Sequence, residues 1–328
     1  MGCVGVKHWI DRGKHMDLKD QPANKKADDP DLGIEAISAQ RQKLSHLRAF
    51  LDEHRSEVPD HNYLHLLLTE SSGHREKAIE ELRRYAQVAH EGARLRIRAP
   101  LAESLRPVDL GTKNDPAFGY PEDLDLRALK GLFGELLAGI AAEHYELFGS
   151  NGWEVPAYLF RTHTAAFQKL ERIRQGASDG GAVVGRTGDD CIAFERDCDG
   201  RITRWMACEA KCTKGHDAGA IADCHEQLNT SALQPIDLLR LIEALEDYKK
   251  DEYAASWQTS LRNLYWSKAA ERCDAIVYVC GRRPKKRLTW IDPSAPHKTY
   301  TVHRKLAAIE IHLNDVEATV KYVYSRDR

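Results

Sequence analysis

Apolar positions recur along this chain with two different periods. Ala78, Ile79, Leu82, Tyr85, Ala86 and Ala89 fall three and four apart, the spacing of an amphipathic helix over 75–90. Ile236, Leu238, Leu239, Leu241, Ile242 and Leu245 repeat it after Pro235, and Trp257, Leu261, Leu264 and Trp266 within 254–269. Residues 34–53, 132–143 and 218–228 also read as helices, and Asp315 as the cap of a final helix reaching 325. Short apolar runs at 63–68, 273–280 and 307–313 read as strands. Arg94-Leu95-Arg96-Ile97-Arg98 alternates strictly, which predicts a strand with one basic face. Helical and extended segments alternate, so the pattern predicts an α/β protein.

Two further strands carry the candidate chemistry. Asp190-Cys191-Ile192-Ala193-Phe194 and Trp205-Met206-Ala207-Cys208-Glu209-Ala210-Lys211 flank Asp197-Cys198-Asp199-Gly200, a tight-turn sequence ending in Asp-Gly. A hairpin of this kind brings an Asp at the start of one strand close to a Glu-x-Lys on its partner. Glu209 and Lys211 are two apart and share a face. Mg²⁺ or Mn²⁺ takes one or two carboxylates with water and phosphate oxygens. Asp190 and Glu209 can supply the carboxylates, with the Ala210 carbonyl as a third ligand. Asp189 precedes Asp190, and the pattern does not decide which is the ligand. Asp190 is preferred because the apolar run begins directly after it. Lys211 sits beside the metal-bound water, where an ammonium between carboxylates keeps its proton and stabilises charge on phosphorus oxygens.

This Asp–Glu-x-Lys hairpin resembles the core motif of the PD-(D/E)xK nuclease superfamily, over roughly residues 127–281. Gly188-Asp189 stands where many members have Pro-Asp. The resemblance implies a restriction-endonuclease-like core, a mixed sheet flanked by helices, here with an extra N-terminal α/β region. It also implies a site role for Glu135, in a Gly134-Glu135 pair on the preceding helix, and a supporting role for Gln227 or Glu226 on the following one. Gly152-Trp153 after the first helix fits the same layout. The implied activity is metal-dependent hydrolysis of DNA, as an endonuclease or nickase. The layout is similar to that of the nuclease subunits of Hachiman antiphage systems, which implies prokaryotic defence. The chain lacks a Gly-rich phosphate loop, so any ATP-driven step falls to a separate helicase or ATPase. The alternative is a non-catalytic protein of degenerate nuclease fold that tethers a partner to DNA.

Charge refines the picture. Lys and Arg number 48 against 50 Asp and Glu, so DNA contact must come from local patches. The densest lies between 281 and 305, with eight basic residues and one acid. Arg282, Arg283, Lys285, Lys286 and Arg287 in it are the expected phosphate contacts. The eight cysteines contain no CxxC pair. Cys208 and Cys212 lie on the strand face opposite Glu209 and Lys211, and buried free thiols describe them better than zinc or disulfides. Residues 1–32 are polar and aperiodic and predict a disordered tail. Residues 33–126 form an accessory α/β region of no recognised motif, and 127–328 the nuclease domain with helical and basic extensions. No apolar run reaches the length of a membrane span, and without a secretory signal the expected location is the cytoplasm.

Overall fold

The computed structural model describes residues 44–58, 62–102, 115–160, 190–233, 235–246, 248 and 251–325; the tail expected over 1–32 lies outside them, as does Asp189. Along these residues the chain runs α1 (Ser45–Phe50), β1 (Leu51–Val58), β2 (Tyr63–Glu70), α2 (Arg75–Ala89), α3 (Glu91–Ala102), α4 (Leu126–His144) and β3 (Trp153–Glu154). It continues through β4 (Cys191–Arg196), β5 (Ile202–Thr213), α5 (Ala218–Thr230), α6 (Pro235–Glu246), α7 (Glu252–Ser267), β6 (Glu271–Cys280), β7 (Lys305–His312) and α8 (Val316–Val323). Seven strands form one mixed sheet in the order β1-β2-β7-β6-β5-β4-β3.

The four central strands are parallel: β2 to β7, β7 to β6, and β6 to β5. Both faces of such strands are covered, so they read as continuous apolar runs; every residue of β6 from Cys273 to Cys280 is fully buried. Side chains of α1, α2, α4 and α8 pack on one face, against Met206, Cys208, Val277 and Ile309. Those of α5, α6 and α7 cover the other, against Ile192, Ala207, Ile276 and Ala308. The 33–126 segment is continuous with this sheet, because β2 pairs with β7 from Tyr63↔Leu306 to Thr69↔His312. Among the described residues no helix is long and apolar enough to cross a membrane.

Two elements differ from the pattern-based expectation. The helix expected to reach 53 ends at Phe50, and Leu51 opens β1, which pairs antiparallel with β2. β1 is a largely exposed edge strand, so burial writes no alternation into it and only the open edge of β2 recruits it. The basic segment at 94–98 is helical, not extended. Within α3, Ala93 and Ile97 are buried one turn apart, which fits a helix as well as alternation does. Arg94 reaches Glu122 at 2.9 Å and Arg98 reaches Asp115 at 2.8 Å, so these guanidiniums are ion-paired within the fold.

α5 is clamped at both ends by β6. Asp274, fully buried, accepts from Arg272 Nε, Arg304 Nε and the Tyr300 hydroxyl, each at 2.8 Å. Both arginines then turn their remaining N–H groups to the C-terminal carbonyls of α5. Arg304 donates to Leu228 O at 2.6 Å, and Arg272 to Leu228 O, Ser231 O and Ser231 Oγ. These are the acceptors a helix end leaves unpaired. At the other end the N-cap Asp217 accepts from Ala220 N, while its own amide donates 2.8 Å to the Tyr278 hydroxyl. Asp274→Ala removes the carboxylate that both Arg Nε groups share. We expect a loss on the order of 3 kcal/mol in urea unfolding; a change below about 0.5 kcal/mol would mean that the arginines hold α5 without it.

Candidate active site

The hairpin builds the site. Asp197 Oδ1 accepts the amides of Asp199 and Arg201, each at 2.9 Å, and Gly200 takes φ +77°, which a β-carbon disfavours. From this turn β4 and β5 run antiparallel with Cys191 opposite Cys208, and Asp190, directly before β4, lies at the Cys208–Ala210 end of β5. The Asp190 amide donates to Cys208 O and its Oδ2 accepts from Ala210 N, both at 3.0 Å. A strand residue's N–H and C=O leave on the same side, so the Ala210 carbonyl also points toward Asp190.

Ile192 and Ala207 mark the α5-covered face, and two-residue alternation puts Glu209 and Lys211 there too, with Asp190 near enough to Lys211 and Cys224 to act on both electrostatically. Lys211 Nζ lies 2.5 Å from Glu209 Oε1. Glu209 is 6% exposed and Lys211 only partly buried. Burial acts to lower the Lys211 pKa, but Glu209, the Cys224 side and Asp190 more than offset it and hold the ammonium above its usual value. Lys211 is therefore charged at neutral pH. Cys224, on α5, is fully buried against this group. Burial pushes its thiol up, Lys211 pulls it down, and Glu209 and Asp190 push it up again, for a net rise; it is no thiolate nucleophile. Cys224 belongs to the cysteines that the sequence gathers around the site, and it is the buried free thiol expected of them. A shallow depression is lined by Asp190 together with Ala157, Leu159, Ile192 and Leu241.

The remaining expected residues are distributed around this centre. Glu135 is 2% exposed on α4, which packs on the opposite sheet face: its neighbour Gly134 abuts Ala210 and Cys212. Glu135 lies close enough to Tyr120 and Tyr324 to push both phenols up after burial has done so. The sheet thus separates it from Asp190, Glu209 and Lys211. Gln227 and Glu226 are exposed on α5. Every cysteine among the described residues is a free thiol. Among the described residues no group of three His, Cys, Asp or Glu is arranged to hold a metal ion.

The basic segment follows β6 and sits at the same carboxyl edge of the sheet as Lys211, with Gly281 N donating 3.0 Å to Thr213 O at the end of β5. Arg282, Arg283, Lys285, Lys286 and Arg287 are all exposed. Arg283 is tethered through a hydrogen bond to Glu70 O, and Arg287 lies over the Trp290 ring at 5.3 Å.

Glu310 anchors this segment from below. In register across the sheet, Lys211 neighbours Tyr278 and Tyr278 neighbours Glu310. The Glu310 carboxylate, fully buried, accepts Trp290 N at 2.7 Å, Ile291 N at 3.0 Å and His312 Nε2 at 2.5 Å, with His65 Nε2 3.5 Å away. Burial pushes its pKa up, but the two histidines and two amides overcome this and hold it at about 2 instead of 4.5. A depressed carboxylate contributes stability that is complete above the unfolded value and is lost as pH falls through the folded one. We therefore expect an acid-sensitive loss on the order of 3 kcal/mol between pH 4.5 and about 2. Urea unfolding of Glu310→Gln should show a shallower acid slope than the parent; superimposable slopes would remove Glu310 from the acid response.

The chain matches no protein-family model and no curated protein, so the site is read from its own geometry.

Proposed function

We propose that the protein is a metal-dependent phosphodiesterase, a DNA endonuclease or nickase with a PD-(D/E)xK, restriction-endonuclease-like core. The observation that carries this reading is the Asp190 carboxylate held on Ala210 N, between Glu209 and Lys211 of the neighbouring strand, at the carboxyl edge of a mixed sheet. Mg²⁺ takes one or two carboxylates and fills its remaining positions with water and phosphate oxygens, so two carboxylates beside the Ala210 carbonyl suit it. A bound divalent ion supplies a water of lowered pKa and offsets charge on the phosphate.

The chain's own residues do the rest. Asp190 and Glu209 set the negative field that attracts the cation. Held against Ala210 N, the Asp190 carboxylate has a fixed orientation. Lys211, kept protonated by its two carboxylate neighbours, faces the scissile phosphate as an electrostatic group and not as a base. Glu209 pairs with Lys211 in the structure described; sharing Glu209 with a cation frees part of the ammonium's charge for phosphate. The basic segment at the same edge suits the phosphate backbone of DNA. In this reading a separate helicase or ATPase performs any translocation, and the setting is prokaryotic antiphage defence.

The test is nicking of supercoiled plasmid. Parent protein should nick with Mg²⁺ or Mn²⁺, stop with EDTA, and bind without cutting in Ca²⁺. Lys211→Gln, which keeps a hydrogen-bond donor beside Glu209, should fold and lose about 10²-fold or more in rate. Undiminished cleavage in excess EDTA, or by Lys211→Gln, overturns the assignment. DNA binding with no cleavage under any metal would leave the tethering role instead.

A further inference from the structure

At the carboxyl edge beside Lys211, two loops meet ring on ring. His216, in the β5–α5 turn, stacks on Trp290 with centroids 4.0 Å apart and planes 8° from parallel. Trp290 is pinned twice, by its amide on Glu310 Oε1 at 2.7 Å and by its indole N–H on Arg282 O at 2.8 Å. The indole is thus held rigidly, but not inside a core. It is half-buried, its cover His216 is itself exposed, and Leu288 two residues away is 73% exposed. Trp290 covers one face of the imidazole, so the exposed part is the other face and the ring edge. Around the stack stand Arg287, over the Trp290 ring at 5.3 Å, and the exposed Lys285 and Lys286.

A fixed aromatic surface among cations is the chemistry that binds single-stranded nucleic acid, where bases stack and phosphates meet basic side chains. A duplex hides its base faces within its own stack and gains nothing from an exposed ring. Phosphate affinity alone needs Lys and Arg but no anchored indole. We propose that the His216–Trp290 stack is a platform for an unpaired base, with Lys285, Lys286 and Arg287 taking the adjoining phosphates. This rests on the phosphodiesterase reading for its biological sense and deepens it, by naming the substrate as an unpaired or locally opened strand. A bare loop-to-loop staple is the competing explanation. It predicts that removing the stack costs stability and leaves ligand affinity alone.

The experiment is fluorescence anisotropy on the full chain, in EDTA so that nothing is cut. The probes are a labelled oligothymidylate, the same strand with abasic sites, an oligouridylate, and a duplex of equal length. The natural strands should bind more tightly than the abasic strand by on the order of tenfold, and more tightly than the duplex. His216→Ala, at an exposed position, should erase most of that difference. Trp290→Phe, which keeps a ring under His216, should retain more of it than Trp290→Ala. Lys285→Ala with Lys286→Ala should weaken natural and abasic strands alike. Equal affinity for natural and abasic strands overturns the platform, while Mg²⁺-dependent nicking by the same protein would leave the enzyme reading intact. Base-dependent binding by a protein that nicks nothing supports the platform and removes the enzyme.

Discussion

The buried charge of Asp274 sets more of this structure than any apolar contact. A carboxylate with no water must be paired, and it is met by Arg272, Arg304 and Tyr300. Each guanidinium has more donors than one carboxylate can use. The surplus reaches the last carbonyls of α5 and fixes that helix to β6. Tyr278, four residues along the same strand face, receives the first amide of the α5 cap. One strand therefore holds both ends of the helix that covers Asp190, Glu209 and Lys211. Packing alone would keep α5 on the sheet; the polar ends set where along the sheet it lies.

A second carboxylate of β7 plays the corresponding role for the edge. Glu310 draws in the backbone of Trp290 and Ile291, and so bends the long β6–β7 connection back over the parallel strands. The basic residues ahead of it are thereby presented beside the β5–α5 turn. In open α/β sheets, groups that meet ligands gather at the carboxyl ends of the strands. Here Lys211, the His216 turn and the basic segment do so at the ends of adjacent strands.

Charges in this fold separate into those that are spent and those that are available. Arg94 and Arg98 are paired with Glu122 and Asp115, and Arg283 is tied to a backbone carbonyl. Lys285 and Lys286 remain exposed. Basic density along the chain therefore does not tell the ion-paired arginines of α3 from the exposed lysines after β6, because composition records charge and not its partners.

Local spacing along the chain is enough for several parts of this fold. The central strands are legible as apolar runs, α2 and α6 through their 3.6 period, and the β4–β5 hairpin through its Asp-Gly turn. Two-residue alternation alone puts Glu209 and Lys211 on one face, and the turn brings Asp190 close to them. The remaining parts depend on contacts between elements far apart in the chain. α3 buries Ala93 and Ile97 one turn apart, and its arginines pair with Glu91 nearby and with Asp115 and Glu122 farther along the chain; strict alternation at 94–98 does not show those partners. β1 is a strand because β2 offers an open edge. Glu135 reads as a partner of the hairpin carboxylates in the chain, yet a whole sheet stands between them, since which face a helix packs on depends on crossover geometry and not on its own residues. Tyr278 and the Glu310 anchor share this origin: each is defined by a partner on another element, and such a contact is written in no local pattern.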